Sequence, residues 1–135
     1  MGHFTRVAEV VLGVPISLPS HLRDAYPEFG ELRFRRGGLP LRVGGWALGR
    51  ATVAAITLGR TIFVAASTQL EPALLLHEFR HFQQFSERRT FPLRYIWESL
   101  RRGYYSNRYE RDARMYAARR LEPAVRTNSV EDAQW

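Results

Sequence analysis

The chain contains no cysteine and no lysine. Without cysteine there is no disulfide framework, no thiolate metal site and no thiol nucleophile. Any metal would have to be held by imidazole and carboxylate. Without lysine, all 20 basic residues are arginine, and against 13 acidic residues they give a formal net charge of +7. Such uniform arginine usage has the look of coding bias, so the arginine count is weak evidence for a binding surface. The charge itself still favours acidic partners: nucleic acid, anionic lipid or acidic peptides. No apolar run approaches the ~18 residues of a membrane span. The one apolar stretch near the N-terminus, residues 7–16, is interrupted by Glu9 and Pro15 with only Arg6 ahead of it, a poor secretory signal. The expectation is a cytoplasmic protein with no membrane span.

What remains is ordinary for a soluble globular chain. The 135 residues, 45% hydrophobic and 24% charged, suffice for one domain with a real core. Residues 1–12 have the pattern of a short amphipathic helix ended by Gly13 and Pro15, and Pro19, Ser20 and Pro27 punctuate a loop. Residues 31–35 alternate, with Leu32 and Phe34 on one side, as a first strand would. Gly37, Gly38 and Pro40 predict a turn, and Gly44-Gly45 another loop. Residues 52–58 and 61–65 are β-rich runs around Gly59-Arg60, the signature of a hairpin with a type II′ turn.

Three helices are predicted after that. The first begins between Thr68 and Pro72, either capped by Thr68 with Glu71 or with Pro72 in its first turn, and runs to Arg88-Arg89. The second covers residues 93–102, with Ile96, Trp97 and Leu100 assigned to its inner face and Gly103 closing it. The third covers residues 107–121 and stops before Pro123, leaving 124–135 as a polar tail.

The first of these helices carries His77-Glu78-Phe79-Arg80-His81, a His-Glu-x-x-His motif. Residues four apart return to one helix face, so both imidazoles can meet one Zn²⁺ at about 2.0–2.1 Å. Glu78 lies one step round, placed to take a proton from water at the metal. Chance would produce the motif in roughly 1% of chains with this composition. A catalytic zinc site usually has three protein ligands. His3 and His21 lie far upstream, so a later carboxylate is the better source. Glu87 falls six residues after His81, but Gln84 occupies the position where a metzincin needs glycine to turn the chain back. Glu110, in the first turn of the third helix, is the favoured ligand. It competes with a simpler reading in which Asn107 and Glu110 form only a helix cap. Asp112 is the runner-up, as a ligand or as an acceptor fixing a histidine tautomer.

His77-Glu78-x-x-His81, followed by Glu110-x-Asp112-Ala113-x-x-Tyr116-Ala117, resembles a minimal gluzincin over about residues 50–123. The strand 59–64 and the run His81-Phe82-Gln83-Gln84 are similar to small bacterial peptidase domains, including those linked to contractile injection systems. The segment through Ala118, Leu121 and Pro123 resembles the IrrE/ImmA-type peptidases. Together with the element pattern, this gives the expectation of a single zincin-like α+β domain over 1–135: an N-terminal extension (1–30) outside the resemblance, a small, mainly antiparallel sheet (31–66) packed on the motif helix, and a helical part (68–121). The resemblance implies Zn²⁺ held by His77, His81 and Glu110, with Glu78 as catalytic base, in a metallopeptidase acting on a peptide or protein substrate. Such enzymes also supply a distal His or Tyr for the oxyanion. No histidine follows His81; Tyr104, Tyr105 and Tyr109 are the possible substitutes, with Tyr105 and Tyr109 taken as the candidate catalytic tyrosines. An extended substrate is expected to pair with a free sheet edge, for which strand 61–64 is the candidate. Two other classes compete. One is a catalytically silent binding module on the same fold. The other is a nucleic-acid-binding protein using the ten arginines between Arg88 and Arg120 and their interleaved aromatics.

Overall fold

The computed structural model describes residues 2–47 and 53–132. The chain forms two compact units, residues 1–70 and 71–135. Together they hold six α-helices, one 3₁₀ turn and four strands among the described residues, a mixed α+β composition. The sheet belongs to the first unit and the motif helix to the second.

The first unit opens with α1 (Gly2–Leu12) and β1 (Val14–Ile16), then α2 (Ser20–Ala25), a 3₁₀ turn (Pro27–Glu31) and β2 (Arg33–Arg36). It continues with α3 (Leu39–Ala47), β3 (Ala55–Leu58) and β4 (Thr61–Val64). The sheet order is β1-β2-β4-β3; β1-β2 and β3-β4 are antiparallel and β2-β4 is parallel. The expectation of a mainly antiparallel sheet holds for two of the three pairings. The hairpin register pairs Leu58 with Thr61 around Gly59-Arg60. Gly59 has φ +59°, while among the described residues no non-glycine residue has positive φ. That is the type II′ pattern, in which only the first central residue is left-handed. The predicted start of this strand at Thr52 lies outside the described residues.

Four expectations for this unit fail, one of them the loop around Pro19, Ser20 and Pro27, where α2 and the 3₁₀ turn form instead. The strand 61–64 is not an edge: β4 lies between β2 and β3, its backbone paired on both sides and Ile62, Phe63 and Val64 buried. An apolar run of this kind suits a central strand, and strand addition is closed to it. Residues 39–47 form a helix rather than turns and loop. Pro40 falls in the first turn, where its missing N–H costs nothing. Gly44 packs closely on β3: a Cβ there would stand 2.8 Å from Ile56 Cδ1, the movable end of that side chain. Finally, β1 was not foreseen, because three residues containing proline carry no alternation.

The second unit consists of α4 (Pro72–Glu87), α5 (Phe91–Arg102) and α6 (Arg108–Asp132). Pro72 takes the first turn of α4, and Glu71 at the N-cap makes no side-chain cap bond, so the Thr68 capping box does not form. Leu75, Leu76 and Phe79 of α4 are buried, as are Ala113 and Ala117 of α6. The two alanines, four apart on one face of α6, let the helix backbones approach closely. Phe79 and Tyr116 pack ring to ring at 6.0 Å.

α5 is turned the opposite way from expectation. Ile96, Trp97 and Leu100, the residues assigned inward, are 55–78% exposed, and Leu93 beside them is 71% exposed. The buried side instead carries Phe91 and Glu98. Phe91 decides the orientation, its ring against Phe85 at 4.7 Å and Tyr109 at 5.1 Å. α6 also departs from prediction by continuing through Pro123 to Asp132. The proline forfeits one helix hydrogen bond at a cost of about 3 kcal/mol but does not end the helix. No helix of the described residues is long and apolar enough to cross a membrane.

Candidate metal centre

α4 sets one half of the site. His77, His81 and Gln84 recur at spacings of four and three along one helix face, with Glu78 beside them. Glu78, His81 and Gln84 are buried, whereas 17% of the His77 side chain is exposed.

α6 brings the other half, and Asn107 fixes where it starts. This fully buried residue accepts from the Tyr109 backbone N–H through Oδ1 at 2.9 Å, capping the helix. Its Nδ2 donates to the Tyr95 carbonyl at 3.1 Å and to Ser99 Oγ at 2.8 Å, which ties the cap to α5. Glu110, three residues after the cap, does not spend its carboxylate on capping. Oε2 lies 2.8 Å from His77 Nε2 and Oε1 lies 3.1 Å from His81 Nε2, while the two Nε2 atoms are 3.2 Å apart. Glu110 is only 3% exposed. The competition between ligand and cap is thus resolved by division of labour: Asn107 caps and Glu110 faces the histidines.

The three donor atoms are grouped as metal ligands would be. They lie within 4.8 Å of one another, two imidazole nitrogens and one carboxylate oxygen. Tetrahedral ligands about 2.0–2.1 Å from zinc are about 3.3 Å apart, so the observed spacings need only a slight outward relaxation. This His77, His81 and Glu110 group can hold a metal ion.

In the metal-free protein protons occupy the same space. Burial opposes charge on His81, but hydrogen bonding to Glu110 and the charges of Glu78 and Glu110 outweigh it and raise the imidazolium pKa to about 9. Burial likewise opposes charge on Glu110. Its hydrogen bonds to His77 and His81, the His81 charge and a hydrogen bond from Tyr95 prevail and hold the carboxyl well below the usual range.

Tyr95 was not among the expected site residues. Its hydroxyl donates to Glu110 Oε1 at 2.7 Å, and its ring meets His81 edge-on at 6.1 Å. Burial and the neighbouring Glu110 charge push this phenol upward, so it remains a donor. The available signal was its spacing, one turn after Phe91 on the same helix face. Tyr105 and Tyr109 are placed differently. Tyr105 is 76% exposed, with Arg114 over its ring at 4.8 Å. Tyr109 packs on Phe91, and its hydroxyl accepts from Arg108 Nη2 at 2.9 Å.

The alternative carboxylates have other partners. Glu87 Oε1 accepts from Arg80 Nη1 at 2.9 Å, and Asp112 Oδ2 accepts from Arg80 Nε at 2.6 Å and Gln84 Nε2 at 2.9 Å. Comparison with models of known protein families, with curated proteins and with solved structures finds no match to this chain.

Proposed function

We propose that this chain is a zinc-dependent hydrolase of peptide bonds, with His77, His81 and Glu110 as metal ligands and Glu78 as the proton-transfer residue. The observation that carries the reading is the convergence of a buried glutamate from α6 on two imidazoles one turn apart on α4, each within 3.1 Å of it. It is strengthened by the motif, in which the residue next to the first histidine is itself a buried carboxylate.

Bound Zn²⁺ would supply Lewis acidity to the scissile carbonyl and to water. The protein's own part is then as follows. His77 and His81 would hold the ion through neutral nitrogens and Glu110 through one negative charge, a ligand set that would leave a divalent ion net positive charge for developing oxyanion character. Glu78 accepts a proton as the water oxygen bonds to the carbonyl carbon. It returns that proton to the amide nitrogen as the C–N bond breaks, giving a carboxylic acid and an amine, between which the acid proton then redistributes. Tyr95 steadies Glu110 so that the ligand does not swing away with each turnover. His77, the most open of the three ligands, marks the side from which a substrate would enter.

The test is Glu78→Gln, which keeps the size of the side chain and removes its basicity. The variant should bind zinc like the wild type and lose hydrolysis of a mixed peptide pool by more than about a hundredfold. Equal turnover by variant and wild type would remove Glu78 from the chemistry. A zinc-loaded wild type that leaves the whole pool intact would make the chain a silent binding module instead.

A further inference from the structure

We infer that Gln84 is the positioning residue of the metal centre: it holds the His81 proton on Nδ1, so that Nε2 is the nitrogen offered to the metal. The inference rests on the metal-site reading above and assigns a role to a side chain outside the ligand set.

The amide nitrogen of Gln84 has two acceptors within reach. It lies 3.1 Å from the backbone carbonyl of Tyr109 and 2.9 Å from Asp112 Oδ2. Both partners are acceptors, and an amide nitrogen has two N–H groups to give. Reversing the amide would press its oxygen against two others, at a residue only 4% exposed, and would turn both N–H groups away from their acceptors. The orientation is therefore fixed.

The consequence falls on His81. With the amide nitrogen committed, Gln84 Oε1 is the atom 2.8 Å from His81 Nδ1. A carbonyl oxygen only accepts, so Nδ1 must carry a hydrogen. In the neutral imidazole that a metal requires, this is the one N–H, and Nε2 has the lone pair. Nε2 is the atom that faces His77 Nε2 and Glu110 Oε1. The tautomer is set from behind the ring, as outer partners of metal-bound histidines commonly do.

Asp112 is itself held. Arg80 Nε donates to it at 2.6 Å, and Nη1 of the same guanidinium reaches Gln83 Oε1 and Glu87 Oε1. A line of hydrogen bonds thus runs Glu87–Arg80–Asp112–Gln84–His81. A neutral amide suits the last place in it. A carboxylate there would add negative charge beside Glu78 and Glu110, and it would face two oxygens without a proton to offer.

The experiment uses the full chain labelled with ¹⁵N-histidine, Co²⁺ as the probe metal, and the variants Gln84→Leu and Asp112→Ala. In the metal-free wild type, the His81 Nδ1–H should give a slowly exchanging, hydrogen-bonded proton resonance. Gln84→Leu should lose that resonance and weaken Co²⁺ binding by roughly 10- to 100-fold. Asp112→Ala changes a side chain that is 49% exposed, which guards against collapse of a Gln84 variant. It should free the amide to turn, accelerate exchange of the same proton and weaken Co²⁺ binding in the same direction. An unchanged Nδ1–H resonance with unchanged affinity in both variants would overturn the role given to Gln84 while leaving the metal site intact. A wild type that takes no Co²⁺ but loses the Nδ1–H resonance in Gln84→Leu would overturn the metal reading and keep the hydrogen bond.

Discussion

The hydroxyl of Tyr95 donates to one oxygen of Glu110 at 2.7 Å, while the other oxygen of that carboxylate faces His77 Nε2 at 2.8 Å. A buried carboxylate braced on one side and aimed on the other is preorganised for one ligand position. Tyr95→Phe keeps the ring contacts with Phe91 and His81 and removes only the donor. It should lower metal affinity by roughly tenfold, read by Co²⁺ titration. Wild-type affinity in the variant would show that the phenol does not brace the ligand.

Metal uptake should depend on pH through His81. Its imidazolium pKa near 9 means that, at neutral pH, the metal must displace a proton from it. Apparent affinity should therefore rise about tenfold per pH unit up to about pH 9 and level off above. Without metal the sign for stability is reversed. The raised His81 pKa contributes stability that is complete below about 6.5 and lost as pH climbs through 9. The lowered Glu110 pKa contributes stability above its ordinary range, lost only in strong acid. Thermal melts of metal-free protein should thus show a falling midpoint between pH 6.5 and 9, with the fall much reduced in Glu110→Gln.

The site was more legible in the sequence than the fold around it. His77, Glu78 and His81 are read from a local spacing, and a helix of sixteen residues enforces that spacing whatever surrounds it. Glu110 could be shortlisted because few carboxylates follow the motif. Its selection over Asp112 depends on helix rotation: Glu110, Ala113 and Ala117 share the buried face of α6, while Asp112 points toward Arg80. Tyr95 and Gln84 were missed because neither residue type advertises a role, and their partners lie 15 and 28 positions away. The inverted α5 shows the limit of periodicity. Its apolar stripe was correctly found, but a stripe does not say which way it faces. The aromatic cluster of Phe85, Phe91 and Tyr109 decides that, and it needs three separate stretches of chain.

That orientation of α5 makes a prediction about stability. Leu100 is 78% exposed and Phe91 only 4%. Leu100→Ala should change unfolding free energy by no more than about 0.5 kcal/mol. Phe91→Ala empties the aromatic cluster and should cost about 3–5 kcal/mol. Urea denaturation of both variants decides the matter, and comparable losses would place the stripe of α5 inside.

Asn107 links the cap of α6 to α5 through atoms of opposite character. Asn107→Asp keeps the capping oxygen and removes both Nδ2 donations, to the Tyr95 carbonyl and Ser99. The buried acceptors left behind should cost about 1–3 kcal/mol, measured by urea denaturation, and the displaced α6 start should weaken metal binding as well. Full stability in the variant would show that the cap alone fixes the helix start.

The most direct test of the central claim is the metal content of the purified wild type beside His77→Ala and Glu110→Ala after equilibration with Zn²⁺ and removal of the excess. The account predicts about one Zn²⁺ per wild-type chain and little or none in either variant. Equal zinc in wild type and Glu110→Ala, or none in the wild type, would contradict it.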